Sequence, residues 1–224
     1  MRAAETRDPP MSLDGFLAFL AERPAGERWE LADGVPLMNA QPTRRHDWIQ
    51  TNILESLRQH RRRHGSPWRP SGPSQVPVPG EARTVAPDIL VAPDDGRHDL
   101  YIVPASLVVF EVLSPSDTPR RRTSKLAAYA AVASIRSVVL VPQDRRAVTV
   151  HRRNPEGGLS PAACTEAVDL PEIGVTLTLA AIYDDIPLPC RRPAAAGEAA
   201  VRSHISNLSL VGEQAIGQEV TAPP

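Results

Sequence analysis

LVVFEVLSPSDTPRRRTSKLAAYAAVASIRSVVLVP (Leu107–Pro142) decides the fold. Two apolar, β-branched runs, LVVFEVL and SVVLVP, read as strands, and between them Thr118-Pro119 supplies a helix cap and a first helical position. The helical pattern continues to about Ala133. A strand, helix, strand order predicts a βαβ crossover in a sheet covered on at least one face. RAVTVHR follows the short VPQDRR connection as an antiparallel partner, and VAPDILVAP supplies a further strand upstream. The fold class is therefore α/β, with a mixed sheet.

Further out, WELADGVPLMN places Asp33-Gly34 between two strand-like runs, a two-residue hairpin signal because both turn positions need positive φ. A helix is predicted from Arg44 to about His64: Ile49, Ile53 and Leu57 recur every four residues, and Thr43 is the cap. RPSGPSQVPVPGEAR reads as a loop with one short edge strand at Gln75 to Val78, since proline cannot donate to an interior ladder. SLDGFLAFLAE is a short helix after an N-terminal tail over 1–11, and from 191 to 224 the small, polar sequence reads as a flexible tail. One domain, 12–190, remains.

The 224 residues are 42% hydrophobic, a globular composition, and 25 Lys and Arg against 26 Asp and Glu leave no global field to steer the chain toward phosphates. Any nucleic-acid contact must come from local patches, of which Arg61, Arg62, Arg63 and Arg120, Arg121, Arg122 are the candidates. Cys164 and Cys190 lie too far apart in sequence to suggest a zinc site or a disulfide framework, so a cytoplasmic setting is expected. No apolar run approaches the roughly 18 residues needed to span a bilayer, so no membrane partner is expected. Asn207 opens a glycosylation-type triplet, with nothing else to indicate secretion.

The chemistry lies in two strand acids. Glu111 follows Val108, Val109 and Phe110 and precedes Val112 and Leu113, and Asp88 stands between Pro87 and the run Ile89-Leu90-Val91. A lone buried carboxylate costs several kcal/mol unless protonated, paired or bound to a cation. If both acids chelated one Mg²⁺ or Mn²⁺ ion, with the Val112 carbonyl as a further oxygen donor, they would share that cost and build a site that activates water. Lys125 and Tyr129, four apart on the following helix, share a side, and Lys125 could reach over the end of the Glu111 strand to orient water or stabilise a transition state. Ordinary structural roles compete with each assignment. Glu111 could pair with an arginine, and Lys125 or Arg120 to Arg122 could be solvated. Arg61 to Arg63 could complement a helix C-terminus, His46 could be a satisfied polar residue, and Glu30 an edge charge.

ELADG, a His-bearing helix, PD, FEVLSPSD and K-x-x-x-Y in this order resemble the Uma-type restriction-endonuclease family, a bacterial branch of the PD-(D/E)xK restriction-endonuclease-like superfamily. The similarity spans roughly Trp29 to Ile186. The resemblance implies a restriction-endonuclease-like mixed central sheet flanked by helices, and a magnesium-type site at Asp88 and Glu111. The superfamily's usual lysine position, two after the acid, is Leu113 here; in the Uma-type branch the lysine sits on the next helix, which matches Lys125 with Tyr129. Glu30 and His46 match recurrent family positions, as an extra acid and a hydrogen-bonding group at the edge of the site. After the helix the family's Gly and Glu-Tyr-Trp type segment is replaced by ASIRSVVLVPQD.

The function expected is a metal-dependent nuclease acting on DNA, as an endonuclease, with Asp88, Glu111 and Lys125 catalytic. Its alternatives are a nucleic-acid-binding or partner-binding module of the same fold without turnover, and a metal-dependent hydrolase of small phosphoesters. Cutting both strands of a duplex calls for two sites, so a homodimer is expected by analogy.

Overall fold

The computed structural model describes residues 9–24, 26–97, 101–114 and 117–188, which belong to one compact unit that closes at Leu188. The tail expected over 191–224, Asn207 and Cys190 lie outside the described residues.

Helix α1 (Leu13–Ala21) begins at Ser12, whose hydroxyl accepts the Gly15 N–H. Strands β1 (Trp29–Ala32) and β2 (Val35–Met38) form the expected hairpin, with Asp33 at φ 50° and Gly34 at φ 76°. Gly34 is doubly constrained: a Cβ there would also lie 2.4 Å from Cβ of Pro10. The Met11 N–H donates to the Gly34 carbonyl, so the chain just before α1 rests on the hairpin turn.

Helix α2 (Arg44–His64) runs between the expected Thr43 cap and Gly65, which ends it in the left-handed conformation. The Pro-rich segment holds more structure than the single edge strand expected. Strand β3 (Trp68–Ser71) takes in its first residues, and β4 (Val76–Pro77) pairs with β5 (Thr84–Val85). Strands β6 (Ile89–Pro93) and β7 (Val108–Leu113) are antiparallel, helix α3 (Pro119–Ala131) crosses over, and β8 (Ser137–Pro142) returns parallel to β7. Strand β9 (Val148–Arg153) pairs antiparallel with β8, and β10 (Leu159–Cys164) with β9. A second hairpin, β11 (Ala167–Leu170) and β12 (Val175–Thr178), leads into the short helix α4 (Leu179–Ile182).

The central sheet is mixed, in the order β10-β9-β8-β7-β6-β3, with one parallel pair at its centre. Strand alternation divides the core. Val108, Phe110 and Val112 face Ile49, Ile53 and Leu57 of α2, whereas Val109 joins Ala128 and Tyr129 of α3. Glu111 falls on the α3 face by the same alternation. No helix among the described residues is long and apolar enough to cross a membrane.

Candidate active site

Residues from β6, β7, α2, α3 and the β1 hairpin converge where β6 begins and β7 ends. Ile89 pairs with Phe110, so Asp88 and Glu111 flank the next step of the same ladder. Both are buried, at 5% and 8% exposure.

Asp88 is held from three directions. One carboxylate oxygen accepts from Arg28 at 2.6 Å; the other accepts the Val112 N–H at 2.8 Å and lies 3.1 Å from Nε2 of His46. Burial pushes its pKa up, but His46 and then Arg28 outweigh that and hold it at about 2. Because Asp88 is an acceptor, Nε2 of His46 carries the proton. Among the described residues Nδ1 of His46 has no hydrogen bond, and the carboxylate oxygen paired with it, from Asp47, is 3.6 Å away.

Glu111 is held from α3. Lys125 Nζ donates to its two oxygens at 2.9 and 3.0 Å, and the Tyr129 hydroxyl donates to Oε1. Burial, with the charge of Asp88 adding to it, raises Glu111 against the pull of Lys125. Burial alone would lower Lys125, but the charges of Glu111 and Glu30 reverse the shift and keep the ammonium protonated. Burial and the adjacent Glu111 push the Tyr129 phenol well above its ordinary value, so it remains a donor. Glu30 reaches in from β1: its Oε1 accepts the Ala86 N–H at 3.1 Å and lies 3.3 Å from Lys125 Nζ.

Asp88, Glu111, His46 and Lys125 line an open cleft of about 260 Å³ that also includes Arg28, Thr43, Arg121 and Gln143. Gln143 ties three elements together: it donates to the Leu113 carbonyl at the end of β7, and its Oε1 accepts from the Thr43 hydroxyl. Thr43 in turn accepts the His46 N–H, so Gln143 fixes the start of α2 against β7.

The structure thus brings together Asp88, Glu111, Lys125, Glu30, His46 and Tyr129. Val112 meets Asp88 through its N–H. Arg121 donates to the Asn39 side chain at the cleft, Arg122 donates to the Asp117 carbonyl, and Arg120 is exposed. Arg61 to Arg63 lie at the far end of α2, about 22 Å from His46 at 1.5 Å per residue. Arg61 is committed to the Trp68 carbonyl and to Asp94. Arg28 and Gln143 were not singled out from the sequence. Arg28 is one arginine ahead of a strand and Gln143 one amide after another, and neither position carries a periodic signal.

The donor chemistry suits a hard divalent ion. Two buried carboxylates on adjacent strands offer the oxygen ligands that a hard divalent ion takes, and here their charge is offset by Arg28 and Lys125. No group of three or more His, Cys, Asp and Glu among the described residues is arranged to hold a metal, so an ion here would keep several waters.

A family model described as Uma2, putative restriction endonuclease, matches residues 13–181. Among solved structures the chain is similar to a putative nuclease belonging to DUF820 from Anabaena variabilis ATCC 29413. The two are 18% identical with a TM-score of 0.62, over 78% of this chain and 98% of that one. At that identity the likeness shows the fold alone. No curated protein matches the chain in sequence.

Proposed function

The chain belongs to the Uma2 family, and from that premise we propose that it is a metal-dependent nuclease that hydrolyses phosphodiester bonds in DNA, as an endonuclease. The observation that carries this reading is the pairing of two buried acids, Asp88 and Glu111, across adjacent strands with the Lys125 ammonium 2.9 Å from one of them. Asp88 and Glu111 would hold Mg²⁺ or Mn²⁺, with the Val112 carbonyl as a further donor. The ion would supply an activated water and charge stabilisation at the phosphate.

The remaining residues set the stage for that chemistry. His46 and the Val112 N–H fix the Asp88 carboxylate, which at a pKa of about 2 is ionised throughout the neutral range. Tyr129 fixes Glu111 in the same way. Glu30 shares the Lys125 ammonium with Glu111, keeping it protonated and aimed at the cleft, where it would orient the attacking water or offset developing negative charge. Arg121, on the rim, would contact a phosphate.

A binding module of the same fold without turnover is favoured by one observation: all four carboxylate oxygens of Asp88 and Glu111 already have protein partners. Plasmid cleavage separates the two. Purified protein should nick supercoiled plasmid with Mg²⁺ or Mn²⁺ and lose that activity as Asp88→Ala or Glu111→Ala; activity unchanged in both variants would overturn the assignment.

A further inference from the structure

We infer that the groove between α2 and β3 is a second contact surface for duplex DNA, in which Arg58 and Arg62 grip backbone phosphates several base pairs away from the cleft. The inference rests on the nuclease reading only for its choice of nucleic acid as partner. Its site is separate from the paired acids.

Four guanidiniums converge there. Arg58, Arg61, Arg62 and Arg69, with Pro70, Ser71 and Gly72, line a groove of about 580 Å³. Arg58, Arg61 and Arg62 share one face of α2 by their spacing of three and four, and Arg69 joins them from the edge strand β3. Among the described residues a single carboxylate pairs with this charge: Asp94 accepts from Arg61 at 2.7 Å and from Arg69 at 2.9 Å. Among the described residues, the Arg58 and Arg62 side chains have no hydrogen bond or ion pair, and both are exposed. The end of a helix carries only about half a negative charge, which cannot balance such an excess. The groove is therefore a local positive field on a chain of net charge −1.

Its position fits a duplex rather than a small anion. Gly72, on the groove wall, lies against Gln50, and Gln50 donates to the backbone carbonyl of Asp88 at 2.8 Å. Helix α2 therefore leads from the paired acids to the arginines. From Gln50 to Arg58 and Arg62 the helix rises about 12 and 18 Å, which matches roughly four to five base pairs of B-DNA. Arg61 is fixed to the Trp68 carbonyl and Asp94 and acts as a strut, so it is not one of the mobile phosphate contacts.

The test is fluorescence anisotropy of the full chain with a labelled DNA duplex in EDTA, over a salt series, for the wild type, R58Q/R62Q and the charge-matched control R23Q/R136Q. Neither Arg58 nor Arg62 has a partner to lose among the described residues, so thermal melting of R58Q/R62Q should match the wild type. The expected result is at least tenfold weaker binding by R58Q/R62Q at low salt, with the log–log salt slope shallower by about two, and no such change in the control. Equal affinity and slope for wild type and R58Q/R62Q, or no duplex binding by the wild type, would overturn the inference. Plasmid nicking is scored in parallel. Nicking that persists while R58Q/R62Q binds like wild type removes the groove and leaves the nuclease intact. A groove-dependent slope with no nicking under Mg²⁺ or Mn²⁺ supports the groove and removes the nuclease.

Discussion

Asp88 and Glu111 sit beside each other at the ends of neighbouring strands, yet they are sustained by different elements and by different means. Asp88 has a guanidinium, an imidazole and a backbone N–H, drawn from the chain before β1, from α2 and from β7, and its pKa is held at about 2. Glu111 relies on α3 for Lys125 and Tyr129, and burial raises it. The difference teaches that Asp88 is a buried, pre-organised acceptor with redundant support, whereas the charge of Glu111 hangs on one ammonium.

The Glu111 side should therefore be the fragile one. Lys125→Met strips the cation from both Glu111 and Glu30, and breaking a buried pair on one side should cost about 3–5 kcal/mol, read as a lower melting temperature, with cleavage down at least 100-fold. Adding Glu111→Gln to that variant should recover much of the stability and none of the cleavage. A Lys125→Met protein that melts like the wild type would break the comparison.

On the Asp88 side, Arg28→Gln removes one of three supports and should cost less, about 2–3 kcal/mol, as for a hydrogen bond to a charged group. Its pH dependence has a definite sign. The folded pKa of Asp88 lies below the unfolded one, so its stabilising contribution is fully present above about pH 4 and is lost as pH falls toward 2. The gap in unfolding free energy between wild type and Arg28→Gln should accordingly be largest near neutral pH and shrink as the solution is acidified toward pH 2, measured by urea titrations across that range.

Two smaller effects sharpen the contrast. Tyr129→Phe should cost about 1.5 kcal/mol and reduce cleavage while leaving duplex binding unchanged, since the phenol holds Glu111 without reaching the groove of α2. Thr43→Ala should cost about 1 kcal/mol as a lost helix cap, with a modest fall in cleavage because His46 and Gln143 both lean on that hydroxyl.

The parts of the molecule legible in its sequence are those where one physical signal dominates. The runs Val108 to Leu113 and Ser137 to Pro142 are apolar and β-branched throughout, and Thr118-Pro119 starts the helix between them, so the crossover and the placement of Glu111 follow. Lys125 and Tyr129 reach one carboxylate because four residues make one turn of helix. Strand β3 was hidden by Pro70, which an edge strand tolerates because its missing N–H disrupts no interior ladder. Strand β10 was hidden because Ser160 to Ala163 are exposed and show no alternation, although all six residues pair with β9. Arg28 reaches Asp88 across sixty positions of chain, a contact that no local pattern encodes. The Arg61 to Arg63 run looked uniform in sequence, but packing against Trp68 and Asp94 turns its first member inward.

The central claim is that the two acids act as one ligand set for a single divalent ion. Calorimetric titration of Mn²⁺ into the wild type, Asp88→Asn and Glu111→Gln tests it without depending on substrate or turnover. The account predicts one ion per chain for the wild type and at least tenfold weaker binding for each variant alone. Equal Mn²⁺ affinity in all three proteins, or no binding by the wild type, would contradict it.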